Sequence, residues 1–177
     1  MIENVPPLHV SSKPDDPDDR IDRLNAFARS LLREDPKQAA DLASEVLAAI
    51  SREKNGPDNK LAACAQALLT LGCAHLQWGQ FNPAKGYLNK SLDLSRKSHS
   101  QEESAHALIH LGETCVFTGK WFDGLQHGQQ AYRLAHELRS TTLVTPSLCT
   151  IAQANLAFGQ PDDAIEALIE GILHDRK

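Results

Sequence analysis

The sequence predicts an all-α protein built as an array of about four helical hairpins, and three observations predict it. Glycine recurs at Gly79, Gly119 and Gly159, forty residues apart each time, and its surroundings recur with it: Leu68, Leu108 and Leu148; Leu71, Leu111 and Ile151; Gly72, Gly112 and Ala152; Ala84, Gly124 and Ala164. Between these landmarks apolar residues fall at three- and four-residue spacing, the period of an amphipathic helix. Of 177 residues, 41% are hydrophobic and only 5% aromatic, so the core must be built mainly from Ala and Leu, both strong helix formers.

The elements follow in chain order. Residues 1–20 hold four prolines and the run Asp15, Asp16, Pro17, Asp18, Asp19, with five acids against two bases. Ordering such a stretch costs entropy and buries little apolar surface, so it reads as a flexible arm. The repeat domain then spans 21–177, its first helix beginning near Ile21 with Asp18 or Asp19 as a cap. Leu24, Phe27 and Ala28, then Asp35-Pro36, Ala40 and Leu47, describe a first hairpin in which Asp-Pro stands where later copies have glycine. Asn55-Gly56-Pro57-Asp58-Asn59 is a loop, because Pro57 stops any helix crossing it.

The second hairpin runs through Leu61, Leu68, Leu71, His75 and Leu76 to Gly79-Gln80, then through Ala84, Leu88, Ser91 and Leu92; the third and fourth repeat it. The Gly-Gln, Gly-Lys and Gly-Gln pairs at 79, 119 and 159 mark helix ends, where glycine takes the left-handed conformation without a steric penalty. Small residues at 72, 112 and 152, and at 84, 124 and 164, let paired helices approach closely. Trp78, Phe81, Trp121 and Phe122 cluster at these turns and staple one hairpin to the next. Asp162-Asp163 beside Pro161 opens the last helix with charge that suits its dipole.

The pattern resembles the tetratricopeptide repeat (TPR) family, in which a Leu-Gly pair lies in the first helix, an aromatic follows the turn and a small residue lies in the second helix. Leu71-Gly72 with Phe81 and Ala84, and Leu111-Gly112 with Trp121 and Gly124, carry the resemblance; Ile151-Ala152 and Pro161 depart from it. It implies a TPR-like α-solenoid whose first helices line a concave wall. A period of forty exceeds the family's usual 34 and is similar to that of bacterial regulatory members. The entry Leu-x-x-Phe-Ala, Asp-Pro-x-x-Ala, Leu-Ala-x-Glu-Val-Leu resembles the N-terminal regions of bacterial signalling proteins that carry a diguanylate cyclase, histidine kinase or DNA-binding output. Such a module binds protein or peptide and is not itself catalytic.

Register from Gly72, Gly112 and Ala152 then nominates the wall. Gln66, Leu69, Thr70, Cys73 and Gln77 come from the second hairpin; His106, Ile109, His110, Glu113 and Phe117 from the third; Cys149, Gln153 and Leu156 from the fourth; Asp22, Asn25 and Arg29 from the first. One cation, Arg29, is too few for a clamp on a terminal carboxylate. His106 and His110, spaced i, i+4 with Glu113 a turn on and Cys73 opposite, hold zinc-type donors, but the glutamate of HExxH is missing and a polar groove lining accounts for them; neither metal nor cofactor is assigned. Cys73 and Cys149 as redox sensors are set aside because no adjacent cation is visible. The sequence holds no phosphate loop, nucleophile elbow or paired-acid motif, so no catalysis is expected.

A net charge of −5 gives no attraction to nucleic acid, no stretch reaches the ~20 apolar residues of a membrane span, and four dispersed cysteines point to reduced thiols in the cytoplasm. The last helix is expected to pack through Ala164, Leu168 and Gly171. Ile165, Ile169, Ile172 and Leu173 widen its apolar surface beyond that stripe, which marks an assembly face for a homodimer or a following segment. The competing expectation is a free-standing adaptor or chaperone for a protein partner.

Overall fold

The computed structural model describes residues 17–52 and 60–174; residues 1–16 of the arm expected over 1–20, and the loop at 55–59, lie outside them. Eight helices and no strands are found among these residues: α1 (Pro17–Leu31), α2 (Pro36–Ser51), α3 (Leu61–Gln77), α4 (Phe81–Lys97), α5 (Gln101–Phe117), α6 (Trp121–Glu137), α7 (Thr141–Phe158) and α8 (Pro161–His174). They form four successive hairpins, an all-α TPR-like solenoid. The forty-residue period now has a mechanical origin. From α3 to α6 each helix is 17 residues long and each turn three, so two helices and two turns make one repeat.

The turns explain why glycine keeps the beat. Gly79, Gly119 and Gly159 have φ of 69°, 76° and 76°, and the residue after each donates its N–H five positions back, Gln80 to His75 at 2.9 Å, Lys120 to Cys115 at 2.8 Å and Gln160 to Asn155 at 2.9 Å. This is the left-handed helix end that satisfies orphan carbonyls. The same device recurs where no glycine announces it: His99 and Arg139 have φ of 57° and 52°, with Ser100 bonded to Ser95 and Ser140 to Ala135. Reversals therefore fall every twenty residues, at 79, 99, 119, 139 and 159. The first hairpin turns differently, through Asp35, whose carboxylate caps α2 by accepting from the Gln38 N–H at 2.9 Å, ahead of Pro36 at the first helical position.

One boundary differs from expectation. Helix α1 starts at Pro17, a turn before Ile21, since proline is tolerated in a first turn and the acidic charge that follows suits the positive end of the helix.

The helices divide into two rows. The first helices of the hairpins pack backbone to backbone across the repeats, α1 with α3, α3 with α5 and α5 with α7, while the second helices stand further apart, α6 and α8 reaching each other through the Tyr132 hydroxyl, which donates to Glu170. The first row is therefore the inner, tighter side of a curved array. Its members α3, α5 and α7 are buried almost all round, whereas α4 and α6 each bury one stripe, Ala84, Leu88, Ser91 and Leu92 in α4 and Gly124, Gly128, Ala131 and Ala135 in α6. Close approach depends on small residues. A Cβ on Gly112 would lie 2.5 Å from the Thr150 methyl and 3.2 Å from the Gly124 carbonyl oxygen, and one on Gly124 would lie 3.2 Å from the Gly112 carbonyl oxygen.

Aromatic residues tie the turn ends together. Phe81 at the head of α4 stacks on Phe117 at the tail of α5 with centroids 5.6 Å apart, and Trp121 at the head of α6 meets Phe158 at the tail of α7 edge-on at 6.0 Å. At the far end, Leu168 does not pack as expected. It is exposed, and Ala164, Ala167 and Gly171 form the buried stripe of α8, because Ala167 faces back into the core.

Candidate binding groove

The inner wall is assembled from residues forty apart, which the equal helix lengths bring into rows across α3, α5 and α7. Gln77 and Phe117 form one exposed row at its edge, with Gln153 and Leu156 exposed on α7. Gln66, His106, His110, Glu113 and Cys149 are half-buried on the wall, as is Arg29 on α1. Leu69, Thr70, Ile109 and Cys73 are buried, so the first three leave the list of ligand-facing residues. The inner helices touch one another, and these positions lie in the contact. Leu69, Cys73 and Ile109 join the main apolar core, and the Thr70 hydroxyl turns back to the Gln66 carbonyl at 3.1 Å. Phe117 is half engaged by its stack on Phe81.

Asn25 is also corrected. It is buried and donates from Nδ2 to the Ala63 carbonyl at 3.1 Å, pinning α1 to α3 rather than facing a ligand. Asp22 is exposed on α1.

The wall is crossed by a polar ribbon. Glu103 is buried at the head of α5, accepts from Gln66 Nε2 at 2.8 Å and from the Ser100 hydroxyl, and lies 3.8 Å from Arg29 Nη2. It joins α1, α3 and α5 through one carboxylate. Burial alone raises a carboxyl pKa, but the hydrogen bonds from Ser100 and Gln66 and the Arg29 charge overcome it and hold Glu103 below its ordinary value. Sequence reasoning missed Glu103. Its signal was the Ser-x-x-Glu spacing of Ser100 and Glu103, the signature of a helix start.

One turn on, two imidazoles titrate in opposite senses. Burial, with the His110 and Arg29 charges, lowers His106 to about 4, so this ring is neutral at pH 7. His110 also suffers burial, yet the charge and hydrogen bond of Cys73 and those of Glu113 hold it well above its ordinary value. Its Nδ1 lies 2.9 Å from Glu113 Oε2. His110 thus draws on Cys73 of α3 and on Glu113 of its own helix. Among the described residues no group of three His, Cys, Asp or Glu is disposed to hold a metal ion, and a His110 that keeps its proton is a poor ligand for one.

What this surface can do chemically is bind. Neutral amides at Gln66, Gln77 and Gln153 offer donors and acceptors to a backbone, the His110 and Glu113 pair offers both signs of charge, and Phe117 and Leu156 offer apolar area. No helix among the described residues is long and apolar enough to cross a membrane.

Comparison with known proteins agrees with this architecture. Residues 65–98, which carry Leu71-Gly72, Phe81 and Ala84, match the family model described as tetratricopeptide repeat. Among curated proteins none matches the sequence. Among solved structures, aspartyl phosphate phosphatase F from Bacillus subtilis is similar with a TM-score of 0.77 at 13% identity, over 92% of this chain and 42% of the phosphatase. A set of nearly identical TPR-like repeats of the kinesin light chain type, from Podosopora anserina, gives 0.62 at 19% identity, over 93% of this chain and 78% of that one. MamA gives 0.59 at 14% identity, over 89% and 74%. At these identities the likeness is one of fold. The present chain spans less than half the length of the phosphatase.

Proposed function

We propose that this TPR-like array is a non-catalytic module that holds a protein or peptide along its inner wall, as the sensory or regulatory region of a bacterial signalling protein in the cytoplasm. The observation that carries the reading is the inner row itself. Three inner helices in contact, α3, α5 and α7, present exposed Gln77, Phe117, Gln153 and Leu156 around the charged His110 and Glu113 pair, a mixed surface suited to an extended peptide. A terminal-carboxylate clamp fits poorly, since Arg29 is already turned toward Glu103. Absence of disulfides among Cys64, Cys73, Cys115 and Cys149 suits a reducing compartment.

An output domain acting on this reading has a place to couple. In α4, Leu88 and Leu92 are 0% and 6% exposed, covered as the array continues into α5; their counterparts in α8, Leu168 and Ile172, are 40% and 55% exposed. With Ile165, Ile169 and Leu173 they form an apolar face that a second copy of the chain covers, making a homodimer through α8. Diguanylate cyclase is the first candidate for the output such a dimer would control. The second reading, a free-standing adaptor, uses the same groove without an output, and the coding sequence beyond Lys177 separates the two.

The binding half is tested by panning a random peptide library on the immobilised chain and measuring affinities of the enriched peptides. Phe117→Ala combined with Gln153→Ala is expected to weaken them at least ~10-fold, the loss of about 1.4 kcal/mol, while Asn89→Ala on the outer row leaves them unchanged. Peptides indifferent to the groove pair would remove the reading.

A further inference from the structure

We propose that the cleft between the outer helices α4 and α6 binds a small phosphate monoester, its phosphoryl group held by Arg96 and Arg133 and its carbon skeleton laid on Leu108 and Leu134. Three helices converge there. Helix α4 brings Arg96 in its last turn, α6 brings Arg133 and Leu134, and the head of α5 lies between them, leaving a cleft of about 600 Å3. That volume suits a small organic ligand. The two guanidiniums come from different helices, both are exposed, and neither makes an ion pair among the described residues. Two planar donor forks directed into one cleft match the several oxygens of a phosphoryl group.

The rest of the lining fits the same ligand. Ser100 makes no side-chain cap to the first turn of α5, its hydroxyl going instead to the Glu103 carboxylate, so the N–H groups at the head of α5 have no side-chain partner. Glu103 itself is engaged with Gln66 and Arg29 on the inner wall, which leaves Glu137 as the carboxylate on the cleft, placed with Gln130 to accept from hydroxyls of the ligand. Leu108 is buried and Leu134 half-buried, an apolar floor for carbon. The repeat provides an internal comparison. The next seam, between α6 and α8, has a cleft of about 470 Å3, but forty residues on from Arg96 and Arg133 stand His136 and Leu173, and Glu166 and Glu170 line it. Stacking of the hairpins therefore does not demand the two arginines. The cleft lies on the side of the outer helices, so its occupancy stands or falls separately from peptide binding on the inner wall.

The test titrates the full 15N-labelled chain with ribose 5-phosphate, inorganic phosphate, ribose and acetate at constant ionic strength, following backbone amide and arginine Nε resonances. The expected result is a saturable shift of Arg96, Arg133 and the Gln101 amide together, with ribose 5-phosphate at least ~5-fold tighter than inorganic phosphate and ribose without effect. Arg96→Gln combined with Arg133→Gln should weaken ribose 5-phosphate at least ~10-fold. Arg33→Gln combined with Lys37→Gln, which removes the same charge from exposed positions on the first hairpin, should leave it unchanged. Shifts spread over all arginines alike, acetate bound as well as phosphate, ribose 5-phosphate no tighter than inorganic phosphate, or equal losses in the two double variants would overturn the proposal.

Discussion

His106 and His110 occupy one face of one helix, a turn apart, and differ in charge at neutral pH. The contrast is a matter of neighbours. His106 meets burial and two positive groups, His110 and Arg29, with Glu103 the only opposing influence, whereas His110 is flanked by Cys73 and Glu113. The linkage sign follows. His106 has a folded value of about 4, below its ordinary 6.5, so between those limits the unfolded chain binds more protons and stability falls with falling pH. His110 is shifted the other way, so its contribution is complete below 6.5 and is lost as pH rises through its folded value. His106→Gln should therefore flatten the acid limb, recovering roughly 2 kcal/mol at pH 4.5 relative to the parent, as read by urea unfolding at pH 7 and 4.5. A parent and variant with identical pH profiles would refute the assignment. At this scale the sequence was partly legible. The i, i+4 spacing showed that the two rings share a face. Their unlike states were hidden, because Arg29 comes from 77 residues away on α1 and only packing brings it to His106.

The helical elements were legible wherever glycine marks them. The reversals at His99 and Arg139 were not, because an L-residue in the left-handed region leaves no compositional trace. The start of α1 was missed for a related reason: proline reads as a breaker, yet a first turn accommodates it. Interior glycines separate by what surrounds them. On α4, a methyl group at Gly86 meets nothing within 4 Å, whereas at Gly112 it would meet the Thr150 methyl and the Gly124 backbone. Gly86→Ala should raise stability by about 0.5–1 kcal/mol through helix propensity. Gly112→Ala should lower it by about 1–3 kcal/mol, since a backbone carbonyl cannot step aside as a side chain can. Chemical denaturation of both variants checks the pair, and equal effects would contradict the described approach of α5 and α6.

The whole array was the most legible level, because a fixed period fixes which residues stack. Its wall was legible only in outline. Register placed the correct helices inward but could not tell a wall residue from one in the seam between inner helices, so Thr70, Ile109 and Asn25 read as ligand-facing when they are packed. The same limit applied to α8, where Leu168 was assigned to the core and lies outside it. If the α8 face joins two copies, Ile172→Asp places a charge in a dry contact and should convert dimer to monomer in multi-angle light scattering, while the helical spectrum stays unchanged. A parent that is monomeric at tens of micromolar would discard the homodimer.

The unequal behaviour of the two helix rows carries a mechanical consequence. Inner helices adjoin their next-but-one neighbours along the backbone, whereas outer helices stand further apart and meet through side chains such as Tyr132 and Glu170, so the molecule is bound like a book, stiff along its spine and freer to fan at the fore-edge. Bending that closes the spine compresses side chains already in contact, while bending that opens it meets little resistance outside. A guest lying along the spine would act as a splint, fixing the pitch at which the last page, α8, is held.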